Sequence, residues 1–269
     1  MVCLWIGALL LGRLVCPAGD TNAAPPALTI DLASPAVVTG TFYEIGSNRQ
    51  KVLFTFRRAA TRTGDQIQVE ETFTLPDGTV ACREHIEYRT GRLVTYNTED
   101  LRADIRGSIA IDADPKNPKK ERVSLEQIQG RNPGAKIVKG VELLQTNTLI
   151  SDTIYPFILD HWDELMRGAA VKFRLLSLDP ASTFGFKVVK EAETTGSGRP
   201  AVRIKMEPSN LIIAQLIRPI YFTIEKAAPH RVFTYTGRTT PREKVGGAWK
   251  FVDAEAVIDW PSGVTNAPP

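Results

Sequence analysis

Gln66-Ile-Gln-Val-Glu-Glu-Thr-Phe-Thr-Leu75 sets Ile67, Val69, Phe73 and Leu75 on one side of an extended chain and Gln66, Gln68, Glu70, Thr72 and Thr74 on the other. A period of two with one apolar face marks a half-buried strand, and it predicts an antiparallel sheet. Pro76-Asp77-Gly78 follows as a turn, with proline presetting one residue and glycine accepting positive φ. Val80, Cys82, Ile86 and Tyr88 then line one face of a return strand, and Thr90-Gly91 turns the chain into residues 93–98. With Val52, Phe54 and Phe56 upstream, residues 51–98 predict a four-stranded meander.

Outward from this meander the pattern stays mostly extended. Pro115 to Arg122 carries Lys116, Lys119, Lys120 and Arg122 without interleaved aromatics, which predicts a solvated loop. Ser124-Leu-Glu-Gln127 has capping-box spacing and predicts a short helix ended by Gly130. From Thr153 to Arg167, Ile154, Phe157, Ile158, Trp162, Leu165 and Met166 recur at helical spacing, with Pro156 in the first turn and Gly168 as the stop. A further helix is expected over Ser209 to Arg218, ended by Pro219. Strands are expected at Val171–Leu178, Thr183–Lys190, Ala201–Met206, Ile220–Glu225, Arg231–Thr239 and Trp249–Trp260, with Gly196-Ser197-Gly198 as a hairpin tip. Helices do not alternate regularly with strands, which argues against a parallel βαβ sheet. The fold class is therefore mostly β with a few helices (α+β): a curved antiparallel sheet or half-barrel with two or three helices packed against it.

Met1 to Leu11, MVCLWIGALLL, is an uninterrupted apolar run too short to span a bilayer, and it predicts an export signal over residues 1–23. Lipidation at Cys16 is the weaker alternative, because Arg13, Leu14 and Val15 precede it. Residues 24–40 read as a flexible leader, 41–260 as a single β-rich domain and 261–269 as a flexible tail. Without the signal, Cys82 is the sole cysteine, so disulfides are excluded and burial must supply stability. Apolar residues make up 43% and charged residues 23% of the chain, the balance of a soluble globular protein. A net charge of +3 argues against a nucleic-acid partner.

Side chains for catalysis are sparse. Cys82 and His85, three apart on a strand, point to opposite faces, which removes them as a nucleophile and base. His161 and Glu164 share a helix face and offer either an acid/base pair or a surface ion pair. His230 follows Pro229 at a turn and reads as a solvated loop residue. Glu84 falls on the apolar face of its strand. An inward carboxylate titrates upward and becomes a general acid or a head-group contact, unless a bulge turns it out or an arginine on a neighbouring strand pairs with it. The chain has no G-x-S-x-G, G-x-x-x-x-G-K, strand-borne G-x-G-x-x-G or H-E-x-x-H, and no cofactor or metal is expected.

The element order from export signal through β-meander, amphipathic helix, further strands and short apolar helix to closing strands resembles the exported half-barrel proteins of the LolA/LolB lipoprotein-carrier type. Related bacterial envelope families of unknown function share it. The resemblance implies a curved sheet holding helices 153–166 and 211–217 on its concave side, around an apolar cavity for acyl chains. Phe54, Phe56, Phe73, Tyr88, Ile158, Trp162, Leu211 and Ile212 are the expected lining. The expected function is that of an exported periplasmic or cell-envelope protein that binds a lipid or other hydrophobic ligand. The alternatives are a structural or assembly partner of another envelope protein, and a hydrolase or lyase using Glu84 or His161/Glu164. The competing physical reading is that these side chains make only a dry core.

Overall fold

Alternation carried far beyond Gln66 makes one sheet of nearly the whole chain. The computed structural model describes residues 26–130, 133–215 and 217–261. The proposed signal, Cys16 and most of the tail lie outside the described residues. Along the chain come β1 (Val37–Glu44), β2 (Val52–Thr63), β3 (Gln66–Thr74), β4 (Val80–Arg89), β5 (Arg92–Asp100), β6 (Ile105–Asp114), β7 (Asn117–Gln129), β8 (Lys136–Leu143) and β9 (Thr148–Leu149). A 3-10 turn (Ser151–Thr153) leads into α1 (Ile154–Asp160) and α2 (Trp162–Met166). After them come β10 (Val171–Ser177), β11 (Ser182–Gly196), β12 (Arg199–Pro208), α3 (Leu211–Ala214), β13 (Ile220–Glu225), β14 (Val232–Val245) and β15 (Ala248–Asp259).

The fifteen strands form one open sheet in the order β8-β7-β6-β5-β4-β3-β2-β1-β15-β14-β13-β12-β11-β10-β9. Two meanders are joined where β1 pairs antiparallel with β15, Phe42 opposite Ala256; among the described residues the one parallel pairing is β9 with β10. The sheet curls on itself, but no ladder among the described residues joins its edge strands. Side chains and close contacts span the gap instead. Glu142 on β8 accepts hydrogen bonds from the Ser182 hydroxyl (2.7 Å), the Thr183 N–H (3.0 Å) and the Thr183 hydroxyl. Gly140 lies so close to the turn before β11 that an added Cβ would sit 1.9 Å from the Ala181 carbonyl oxygen.

The core divides into three apolar groups. Phe157, Ile158 and Leu165 pack on β10–β14 beside Val188, Ile204 and Ile224. Leu32 and Ile150 pack on β3–β7. Between them Phe42, Phe54 and Phe73 form an aromatic cluster with ring centroids 4.8 to 6.0 Å apart, in the tilted and edge-on geometries that rings favour.

The meander over 51–98 appears as β2–β5, with its turns at Gly78 (φ 87°) and at Thr90-Gly91 (φ 49° and 72°). Several expectations are corrected. Residues 124–127 are not helical but lie inside β7, where Val123, Leu125 and Gln127 alternate inward and pair with β6. The ladder satisfies the backbone that a capping box would otherwise serve. The loop expected over 115–122 is a tight turn followed by the start of β7. The helix expected over 153–167 breaks at His161 (φ −110°, ψ 20°) into α1 and α2 and stops at Gly168 (φ 87°). The helix expected over 209–218 shrinks to Leu211–Ala214. The leader is packed in its described part: Leu32 is 2% exposed, Thr29 N–H donates to Asp160, and β1 begins at Val37.

Candidate functional site

Strand alternation carries three acids into the interior. Glu71 on β3 and Glu84 on β4 stand directly opposite each other in register, and both are buried. Asp152 arrives from the 3-10 turn ahead of α1. Against them stands Arg58 on β2. Its Nε donates to Asp152 Oδ1 at 2.6 Å, one Nη donates to Oδ2 at 3.1 Å and to the Leu32 carbonyl at 2.8 Å, and the Nε lies 3.7 Å from Glu71. The Tyr88 hydroxyl donates to Asp152 Oδ2 at 2.6 Å. This cluster fastens the first turn of the helical segment to β2 and β4.

The charges do not cancel, and the protonation states follow from that. Burial raises the Asp152 pKa, but Arg58 and the hydrogen bonds from Arg58 and Tyr88 outweigh it and hold this carboxyl below the ordinary range. Burial also works against the Arg58 charge, and Asp152 and Glu71 more than compensate. Glu71 is pushed well above the ordinary carboxyl range, first by burial and then by the Glu84 and Asp152 charges. Glu84 is raised by burial and by Asp152, partly offset by Thr240, Glu71 and Tyr96. Neither oxygen of Glu84 has a well-formed hydrogen bond. A buried carboxylate without partners is far costlier than a buried carboxylic acid, so this pair keeps a proton that an exposed pair would lose.

Two cavities lie beside the cluster. The first, about 250 Å³, is walled by Phe42, Phe56, Phe73, Phe222, Tyr235 and Trp260, with Arg58, Glu71 and Asp152 as polar members. The second, about 350 Å³, is walled by Ile105, Ile109, Leu176, Phe184, Phe186 and Met206, with Asp100, Gln127, Asp179, Arg238 and Arg242 among its polar members. Ser151, Ile154, Tyr235, Thr239 and Thr240 belong to both walls. Either space exceeds by several fold the roughly 30 Å³ that one water occupies.

The residues singled out from sequence fall into four places. Phe56 and Phe73 line the first cavity. Phe54, Tyr88 and Ile158 are buried packing residues that border neither cavity. Trp162 stacks on His230 (centroids 4.2 Å apart) at an outer recess. The side chains of Leu211 and Ile212 lie outside what the structure describes. Glu84 is inward as alternation required, 1% exposed, and no bulge turns it out. Its arginine partner is missing: Arg58 sits two strands away and serves Asp152 and Glu71. His161 and Glu164 border the same outer recess but form no pair, since the helix breaks between their turns and His161 Nδ1 lies 3.0 Å from the Phe157 carbonyl. His230 is not a free loop residue, because its Nδ1 lies 3.2 Å from the Glu225 carbonyl. Cys82 and His85 do point apart, Cys82 fully buried and His85 paired at the surface with Glu70. Burial pushes the Cys82 thiol up.

Sequence reasoning missed Glu71, although the alternation through Val69 and Phe73 carries it inward as surely as Glu84. It also missed Arg58, Asp152 and Arg242. Arg242 follows a bulge in β14 where the register jumps between Arg238 and Arg242 around Pro241. A proline inside a strand pattern was the available signal.

No family model matches the chain, and no curated protein matches it. Among solved structures, the chain is similar to a β-barrel-like protein of a domain of unknown function, DUF1849, from Brucella abortus, with a TM-score of 0.38 and 8% identity over 83% of this chain and 96% of that one. It is also similar to a porin-like protein from Bacteroides uniformis, with a TM-score of 0.25 and 6% identity over 88% of this chain and 99% of that one.

Proposed function

We propose that this protein is an exported cell-envelope binding protein, similar in its working to the half-barrel lipoprotein carriers, and that its two adjoining cavities hold a lipid or other single-chain hydrophobic ligand. The supporting observation is the pair of inner spaces, about 250 and 350 Å³, walled mainly by aromatic and aliphatic side chains and separated by a few shared residues. Together they fall within the roughly 300–1,000 Å³ usual for ligand sites. The apolar run at residues 2–11 supports export.

The test is uptake of the neutral dye N-phenyl-1-naphthylamine by the full chain, followed by its fluorescence. Saturable binding that dodecanol displaces, and that Ile154→Trp abolishes while the circular dichroism spectrum is kept, supports the reading. A chain that takes up neither dye nor alcohol refutes it.

A second reading, an assembly partner, draws on edge strand β8, where Ile137, Val141 and Leu143 are exposed on one face at 51%, 62% and 50%. Lys136 and Lys139 on the same strand oppose unrestricted edge pairing.

A further inference from the structure

Arg242 is a buried cation with few partners among the described residues. It is 7% exposed, it borders the second cavity, and its guanidinium donates no hydrogen bond to any described residue. Its neighbours explain why. Asp100, the buried acid of the same wall, is already occupied: it accepts from the backbone N–H groups of Arg102 (3.2 Å), Ala103 (3.0 Å) and Arg242 itself (3.1 Å). Asp179 is 3.8 Å from the Arg242 Nη and 54% exposed, so water competes for it. The remaining charge in the wall, Arg238, is 40% exposed and lies 3.9 Å from Asp253. One face of the Arg242 guanidinium is covered by the Phe251 ring at 4.2 Å, which leaves its edge of N–H donors for a partner in plane. The side chain of Gln127, 8% exposed in the same wall, also makes no hydrogen bond with another described residue.

The local backbone is built to put Arg242 there. Simple alternation along β14 is interrupted between Arg238 and Arg242, and the bulge turns Thr239, Pro241 and Arg242 into the interior together. Bulges are used in this way to re-aim side chains beside sites. A buried charge with idle donors is expensive to keep unless something meets it, and beyond the polar groups around it this cavity is walled by aliphatic and aromatic side chains. A planar fork of donors beside an apolar space matches an amphiphile whose chain is hydrocarbon and whose head is an oxyanion.

We propose that the second cavity binds a single-chain amphiphile with an anionic oxygen head group, carboxylate or phosphate, whose oxygens are held by the Arg242 guanidinium. This rests on the cavity reading above and adds the chemistry of the head. The experiment titrates the full chain, below micelle-forming concentrations, with dodecanoate, dodecyl phosphate, dodecanol and dodecylamine, alongside the neutral dye. At least one of the two anions binds about tenfold or more tightly than dodecanol, and the amine binds more weakly than either anion. Arg242→Met erases that advantage while dodecanol and dye still bind, and Arg242→Lys restores part of it. The two anionic arms separate a fatty-acid-like from a phospholipid-like ligand. Dye and dodecanol uptake with no distinction among head groups in the unmodified protein overturns the Arg242 assignment alone. So does a preference that survives in Arg242→Met. Failure of the dye and all four amphiphiles overturns the cavity reading with it.

Discussion

Replacing Glu84 with glutamine should stabilise this protein, and increasingly so as pH rises. In the native state Glu71 and Glu84 oppose each other in register, out of water, and burial together with neighbouring acids raises both pKa values. In the unfolded chain each glutamate ionises near pH 4.3. Above that pH the folded protein therefore holds at least one proton more than the unfolded chain. Stability then falls by about 1.4 kcal/mol per pH unit until the native pair itself ionises. That is the opposite sense to a salt-bridged carboxylate, whose contribution is lost as pH falls. Glutamine keeps the shape of Glu84 but carries no charge at any pH. It also relieves Glu71 of the largest charge effect raising its pKa, so Glu71 ionises at a lower pH than in the parent, although burial and Asp152 still hold it above the ordinary range. Urea unfolding of both proteins at pH 5, 6, 7 and 8 reads the difference. Glu84→Gln should match the parent at pH 5 and exceed it by about 1–3 kcal/mol at pH 8. Parallel stability curves, or a glutamine variant weaker at every pH, would refute the protonated-pair account.

Other consequences are more local. Arg58→Met strips the one cation from Asp152, Glu71 and Glu84, and breaking such a buried pair should cost about 3–5 kcal/mol in urea unfolding, less at pH 5 than at pH 8. Ile154→Trp adds bulk to the wall common to both cavities; dye binding should vanish, with a loss of about 1–3 kcal/mol from overpacking. Glu142→Gln weakens the side-chain stitch between β8 and β11. Because this carboxyl is 29% exposed the loss should be modest, about 1 kcal/mol at pH 7. The Glu142 pKa is lowered despite partial burial, chiefly by hydrogen bonds from Thr183 and Ser182, so that contribution should fade as pH falls below the ordinary carboxyl range. Cys82, fully buried with its thiol pKa raised, should react with a thiol reagent only on unfolding, and rapid native labelling would contradict its placement.

The strands were legible wherever a turn residue and strict alternation coincided, as at Pro76-Asp77-Gly78 between β3 and β4. The helical segment was legible from the spacing of Ile154, Phe157, Ile158 and Leu165. Ser124 to Gln127 misled because the four residues of a capping box also alternate, and only the ladder with β6 decides between the two. The joining of β1 to β15, more than two hundred residues apart, carries no local signal at all. The polar interior was half legible: alternation exposes Glu84 and would equally expose Glu71. Asp152 and Arg58 meet only through the curl of the sheet, and Arg242 is turned inward by a bulge whose one trace in the sequence is Pro241. Leu32 shows the limit of composition, since a Pro- and Ala-rich approach does not reveal that one leucine in it is buried in the core.

The most direct test is native mass spectrometry of the protein purified from the cells that make it. The account predicts a non-covalent adduct with the mass of one single-chain amphiphile, present in the parent protein and missing from Ile154→Trp. A parent protein that carries only its own mass, and stays so after incubation with dodecanoate and dodecanol, contradicts it; a co-purifying polypeptide in place of the lipid would move the function to the exposed face of β8.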